Sequence, residues 1–212
     1  FHFTGITPAL GDNVAEICLE ACKKAREKGI TVSCDLNYRK KLWTKEKAGQ
    51  VMGELCKYID VCISNEEDAN DVFGIKSEAT DVTSGKLNKD GYKEVAKKLT
   101  ERFGFKKVAI TLRTSLSAND NLWAGMLYDG KSGESYFSKE YKMHIVDRVG
   151  GGDSFGGGII YACSNDFDNQ STIEFAVAAS CLKHSIEGDF NMVSVSEVQT
   201  LAGGDGSGRV QR

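Results

Sequence analysis

The chain has 212 residues, 41% of them hydrophobic and 27% charged, with a formal net charge of −3. This is the balance of an ordinary soluble domain able to bury one core. It argues against nucleic acid as a main partner, since a phosphate backbone is held by clustered Lys and Arg. No apolar run reaches membrane-spanning length and no signal peptide is visible, so neither a membrane nor an exported setting is expected, and the localisation read is cytoplasmic.

Phe1 to Ile6 reads as a strand already in progress. Asp12 to Lys28 is an amphipathic helix with Val14, Ile17, Cys18, Ala21, Cys22 and Ala25 on one face, capped by Asp12 and stopped at Gly29. Ile30 to Cys34 follows as a short apolar strand, Lys45 to Tyr58 as a helix, and Val61 to Ser64 as a buried strand. Asn65 to Phe73 begins another helix, stopped near Gly74, and the polar residues 77–88 read as a loop or insertion. Asp90 to Phe103 is a helix and Lys107 to Leu112 a strand. Leu122 to Tyr128 and Glu134 to Ser138 form a hairpin around Asp129-Gly130. Helices follow from Asp153, from Ser171 to Glu187 and from Val195 to Ala202. The domain therefore spans 1–202, and 203–212 is read as a flexible tail. Strand and helix alternate throughout, which argues for an α/β fold with a doubly wound, mostly parallel sheet. Ligands of such sheets sit beyond the C-terminal strand ends.

Seven cysteines lie mostly in apolar segments without a Cys-x-x-Cys pair, and the three histidines are dispersed. They read as buried thiols and structural imidazoles rather than a metal site.

The chemistry concentrates in the run Asp147-Arg148-Val149-Gly150-Gly151-Gly152-Asp153 and the small-residue helix that follows. Glycines let the backbone approach an anion closely, and a helix N-terminus offers unpaired N–H groups and a positive dipole end. A carboxylate in that turn would repel a phosphate. Asp153 therefore reads as acting on something else, such as the proton of an attacking hydroxyl. Two further polar clusters leave strand ends. Arg39, after Asp35-Leu36-Asn37-Tyr38, could fork onto a carboxylate or a phosphate. Asn65-Glu66-Glu67-Asp68, taken alone, is ordinary helix capping.

The glycine run resembles the second signature of the ribokinase-like (PfkB) carbohydrate kinases. The matches are Asp147, Gly150, Gly151, Gly152, Asp153, Gly157 and Gly158. Arg148 stands where most of that family has Thr, Ser or Pro. The variant is similar to the 2-keto-3-deoxygluconate kinase branch. Asp35, Asn37, Arg39, Leu42 and Trp43 are similar to the family's Asp-x-Asn-x-Arg-x-x-Leu-Trp string. The resemblance covers nearly the whole chain. It implies that roughly the first third of such a kinase, with its β-rich lid, lies outside it.

The resemblance implies transfer of the γ-phosphoryl of ATP, with Mg2+, to a primary hydroxyl of a sugar or keto-acid sugar, 2-keto-3-deoxygluconate above others. Fructokinase or ribokinase activity of the same family, or a catalytically silent sensor, are the alternatives. Asp153 is implied as general base and Gly150, Gly151 and Gly152 as the anion hole. Arg39, Asn37 and Asp189 are implied at the sugar, and Asn65, Thr111, Arg113 and Asn191 at the nucleotide. Asp68 or Glu67, with Glu66 as a competitor, is implied at Mg2+ through water. Arg113 stands where a glycine is expected. A homodimer through the lid is the implied assembly.

Overall fold

The computed structural model describes residues 1–77 and 89–204, apart from the side chain of Glu66. The loop expected over 77–88 and the tail expected over 203–212 therefore fall largely outside the described residues.

In chain order the elements are β1 (His2–Thr4), α1 (Ile6–Ala9), α2 (Asp12–Glu27), β2 (Ser33–Asp35), α3 (Lys45–Leu55) with a 3-10 turn over Cys56–Tyr58, and β3 (Val61–Ser64). Then come α4 (Glu66–Phe73), α5 (Lys89–Phe103), β4 (Lys107–Ser115), β5 (Asp120–Asp129), β6 (Ser135–Phe137) and β7 (Tyr141–His144). The chain closes with α6 (Gly151–Ser164), α7 (Asn169–Lys183) and α8 (Val195–Ala202). The strand order is β1-β2-β3-β4-β5-β6, with β7 paired to β5. The first three pairings are parallel, as the alternation of strand and helix requires. The chain divides into two compact units, Phe1–Ile110 with Met126–Ser135, and Thr111–Gly125 with Tyr136 onward. β4 and β5 each contribute residues to both.

In the first unit every residue of β3 is buried, so Val61-Cys62-Ile63-Ser64 reads as a continuous apolar run rather than an alternating one. Helices cover the parallel strands with Cys18, Cys22, Met52, Leu55, Val95 and Leu99, all buried. Asp60 ties this base together. It is buried and accepts from Arg26 (2.6 Å), Lys106 (2.9 Å) and the amide of Val32 (2.9 Å). A buried carboxylate persists only when paired in this way.

In the second unit α6 and α7 pack closely, with Phe155, Ile159, Ile173, Ala176 and Val177 buried. Phe175, Ala178, Ala179 and Val198 form a satellite core under α8. Asp168 caps α7 by accepting from the amide of Ser171 (2.8 Å), and Ser194 with Glu197 makes a capping box on α8.

Several expectations are corrected. α2 is capped by Gly11, and Asp12 lies inside the first turn, its carboxylate on Lys47 (2.9 Å). Ile17 is exposed rather than on the buried face. The second strand is shifted to Ser33–Asp35, because pairing with β1 and β3 selects those residues over the apolar Ile30. α7 begins at Asn169 and ends at Lys183, and α1 and β7 were not anticipated. β4 continues past its expected end at Leu112 to Ser115, so Arg113 as well as Thr111 is a strand residue.

Candidate active site

Each unit carries its own constellation. In the first, β2 and β3 run in parallel with Asp35 beside Ile63, so the segments leaving their C-terminal ends emerge together. After β2 the chain turns through Asn37, whose φ of 38° is a left-handed conformation that Asn tolerates better than most residues. After β3, Asn65 caps α4 by accepting from the amide of Asp68 (2.7 Å). Asp68 is 5% exposed and accepts from the amide of Tyr38 (3.1 Å). The two strand-end segments are thus cross-linked by one buried carboxylate. Burial pushes the Asp68 carboxyl up to about 6, against the lowering effect of the Tyr38 amide and the Arg39 charge. Arg39 is exposed and donates to the carbonyl of its neighbour Tyr38 (3.2 Å). Glu67 is also exposed.

In the second unit α6 starts at Gly151, with Gly150 as its cap at φ 79°. Gly150 is required there twice over. Its backbone is left-handed, and a Cβ would come within 2.9 Å of the carbonyl carbon of Asp189. Gly151 is packed against His184, where a Cβ would lie 2.6 Å from Nε2. Gly152 and Asp153 are exposed in the first helical turn, where amides have no partner inside the helix. The turn before them is braced by Asp147. Its two carboxylate oxygens accept from the amides of Val149 (3.0 Å) and Gly188 (2.9 Å), which hold the carboxyl below the usual carboxylate range. Arg148 donates to the carbonyl of Ala118.

One cleft of ≈ 360 Å3 opens here, with Asp153, Gly157, Tyr161, Asp189, Phe190 and Asn191 among its lining residues. That volume suits a small-molecule ligand. Asp153 and Asp189 therefore share one opening. Asn191 lines it too, while its amide donates to the carbonyl of Ala179 (3.2 Å). Arg113 is exposed on β4, and its charge, with those of Lys183 and Arg148, adds to burial in lowering the pKa of His184.

Sequence reasoning overlooked the residues behind the glycines. Ser180 Oγ donates to the carbonyl of Gly151 (2.7 Å), and His184 Nδ1 donates to the carbonyl of Ser180 (2.7 Å). Trp123 stacks obliquely on His184 with ring centroids 5.1 Å apart. The available signal was three polar residues, Ser180, Lys183 and the C-cap His184, at i, i+3 and i+4 after the mostly apolar buried stretch from Ile173 to Ala179.

The site can therefore do two things chemically. It can present backbone amides and a helix dipole to an anion, and it can hold a carboxylate one residue further on beside whatever attacks that anion.

The pfkB family carbohydrate kinase model matches residues 1–194. The solved structure of 2-dehydro-3-deoxygluconokinase from Thermotoga maritima is 50% identical with a TM-score of 0.89, over 96% of this chain and 59% of that one. A PfkB family carbohydrate kinase from Listeria grayi is 33% identical with a TM-score of 0.83, over 95% of this chain and 59% of its own. Among curated proteins, the 2-dehydro-3-deoxygalactonokinase of Haloferax volcanii is 28% identical over 206 residues, 97% of this chain and 58% of the relative. The chain thus spans under two thirds of the length of these relatives.

Proposed function

Because the chain belongs to the pfkB family of carbohydrate kinases, we propose that its protein is a cytoplasmic enzyme that transfers the γ-phosphoryl group of ATP to a primary hydroxyl of an acidic keto-sugar, 2-keto-3-deoxygluconate foremost. The observation that carries the reading is Asp153, exposed in the first turn of α6 directly after the Gly150 cap and the helical Gly151 and Gly152, and lining one cleft with Asp189. The substrate class rests on the relatives, named as kinases of 2-dehydro-3-deoxygluconate and of 2-dehydro-3-deoxygalactonate. Both names describe a keto-acid with a carboxylate.

In the proposed reaction the acceptor oxygen attacks the γ-phosphorus in line. The bond from that phosphorus to the β–γ bridging oxygen breaks, and ADP leaves. The hydroxyl proton passes to the Asp153 carboxylate. A loose transition state asks for proton removal late, so Asp153 acts chiefly through its position beside the acceptor hydroxyl. The amide of Gly152, with the N-terminal dipole of α6, meets the charge on the transferring group, and that of Gly151, which here donates to the carbonyl of Arg148 (3.3 Å), joins it only by giving up that bond. Asp189 accepts from sugar hydroxyls, and Thr111, Arg113 and Asn191 serve the nucleotide. In the first unit Arg39 is the group proposed to meet an anion, with Asn37 at the same turn.

Mg2+ is tested by the acids available. Among the described residues no group of three or more His, Cys, Asp or Glu gathers into a direct metal cage. Asp68 already spends one oxygen on the amide of Tyr38. This fits a hydrated ion met through water by Asp68 and Glu67, with Asn65 capping the helix that carries both. Such an ion, when bound, neutralises phosphate charge.

The test is product identity. The complete protein, given MgATP and 2-keto-3-deoxygluconate, is expected to yield a phosphomonoester on the primary carbon by 31P NMR. Release of inorganic phosphate with no phosphorylated sugar would contradict the acceptor assignment.

A further inference from the structure

Lys183, the last residue of α7, is fully buried, with 0% of its surface exposed. A lysine removed from water is costly unless its ammonium is satisfied. Here Nζ donates to the carbonyl of Ile186 (3.0 Å), closing a turn in which the amide of Ile186 bonds back to the carbonyl of Lys183 (3.0 Å).

That turn leads directly to the two contacts that shape the glycine cap. The amide of Gly188 donates to Asp147 (2.9 Å), and Asp189 supplies the backbone carbonyl against which Gly150 is packed. From the other side, the carbonyl of His184 accepts from the amides of Val146 (2.8 Å) and Asp147 (3.3 Å). The segments 146–150 and 184–189 are therefore laced together, with the ammonium of Lys183 inside the second one. It is also within Coulombic reach of the Asp147 carboxylate.

The geometry points to Lys183 as a positioning residue: a built-in cation that orders the 184–189 turn and, through Gly188 and Asp189, holds Asp147 and Gly150 where the first amides of α6 face an anion. A merely structural lysine at a helix C-terminus would also complement the dipole. It would not need its carbonyl partner to lie in the strap that braces the anion hole. The kinetic part of this inference rests on the proposed kinase reaction, and the backbone-ordering part does not.

The experiment uses the complete protein with Lys183→Met, which keeps the length and removes the charge, and Lys183→Ala, which leaves room for a small cation. Hydrogen exchange of the peptides covering 146–155 and 185–190 is read without ligands, alongside steady-state kinetics. Lys183→Met is expected to unfold as cooperatively as the parent yet exchange faster in both peptides. Its kcat is expected to fall about 10²-fold, the scale of a small misplacement of reacting groups, with the KM for sugar changed less than about twofold. In Lys183→Ala, methylammonium is expected to restore protection and kcat severalfold over the same concentration of NaCl. Parental exchange and kcat in Lys183→Met overturn the inference. So does loss of the folded state in that variant, or a defect in Lys183→Ala that methylammonium leaves unchanged, since either makes Lys183 a core strut. A parent protein that phosphorylates no keto-acid sugar overturns the proposed function alone, and exchange with its methylammonium response still decides the role of Lys183.

Discussion

The imidazole of His184 lies against the backbone of Gly151, so closely that a Cβ there would sit 2.6 Å from Nε2. The ring cannot drift away, being held by the carbonyl of Ser180 (2.7 Å) and the indole of Trp123. Gly151 is thus fixed by a partner on another helix as well as by the turn it begins. Gly151→Ala is expected to lose about 1–3 kcal/mol, the usual cost of overpacking. Removing the ring relieves the clash, so Gly151→Ala with His184→Ala should lose less than the sum of the single changes. A double-mutant cycle by chemical unfolding measures this. Additive losses would mean that the contact does not constrain Gly151.

Gly150→Ala tests the cap itself. Alanine at φ 79° costs about 1–2 kcal/mol, and its Cβ also meets the backbone of Asp189. The turn must shift, carrying the amides of Gly151 and Gly152 with it. Steady-state kinetics should show kcat falling by at least the 10²-fold typical of losing one oxyanion donor, with a smaller change in the KM for sugar. A variant altered only in KM would place the cap in binding rather than in transition-state stabilisation.

Asp68 makes a pH prediction. Its carboxyl is pushed up to about 6 by burial, from an ordinary value of 3.8. The folded state therefore holds a proton there that the unfolded state releases between those values. The associated stability is fully present below pH 3.8 and lost as pH rises through about 6. Asp68→Asn keeps an acceptor for the amide of Tyr38 and removes the titration. Its stability relative to the parent should improve between pH 4 and pH 8, by up to about 3 kcal/mol for two units. Urea midpoints across that range measure it. A difference that is flat with pH would show that Asp68 ionises freely in the folded protein.

Asp189→Ala separates sugar contact from backbone support. The carbonyl that packs against Gly150 survives the change, so the cap should remain. The KM for sugar is expected to rise about tenfold, on the scale of one lost hydrogen bond to a charged group, with cooperative unfolding unchanged. An unchanged KM would remove Asp189 from the sugar.

Much of the fold was legible because local signals agreed with the final packing. The buried run Val61–Ser64, the cap at Asn65 and the stop at Gly74 each matched their elements. So did Asp153 beside its glycines, since the spacing alone placed it in the first turn of a helix. The misses have local causes. α1 and β7 have only four residues each, too short for a period to show. β4 runs on past Leu112 through Arg113, Thr114 and Ser115, three polar residues in a row that carry no apolar alternation to read. Ser180, Lys183 and His184 look like ordinary polar residues of a helix, and only tertiary packing puts them behind the glycines. Whether Arg39, Asn65 and Arg113 meet ligands was not legible, because polar strand ends satisfy themselves locally, as the bonds at Tyr38 and Asp68 do.

ADP release by the complete protein with MgATP tests the central claim most directly. The acceptors are 2-keto-3-deoxygluconate, 2-keto-3-deoxygalactonate, fructose, ribose and none, with Asp153→Asn beside the parent and ATP binding followed by calorimetry. The account predicts turnover on the keto-acids. It also predicts a loss of about 10²–10⁴-fold in Asp153→Asn, the range of one general base, with ATP affinity kept. Turnover on the keto-acids that survives in Asp153→Asn, or ATP binding with no turnover on any acceptor, would contradict it.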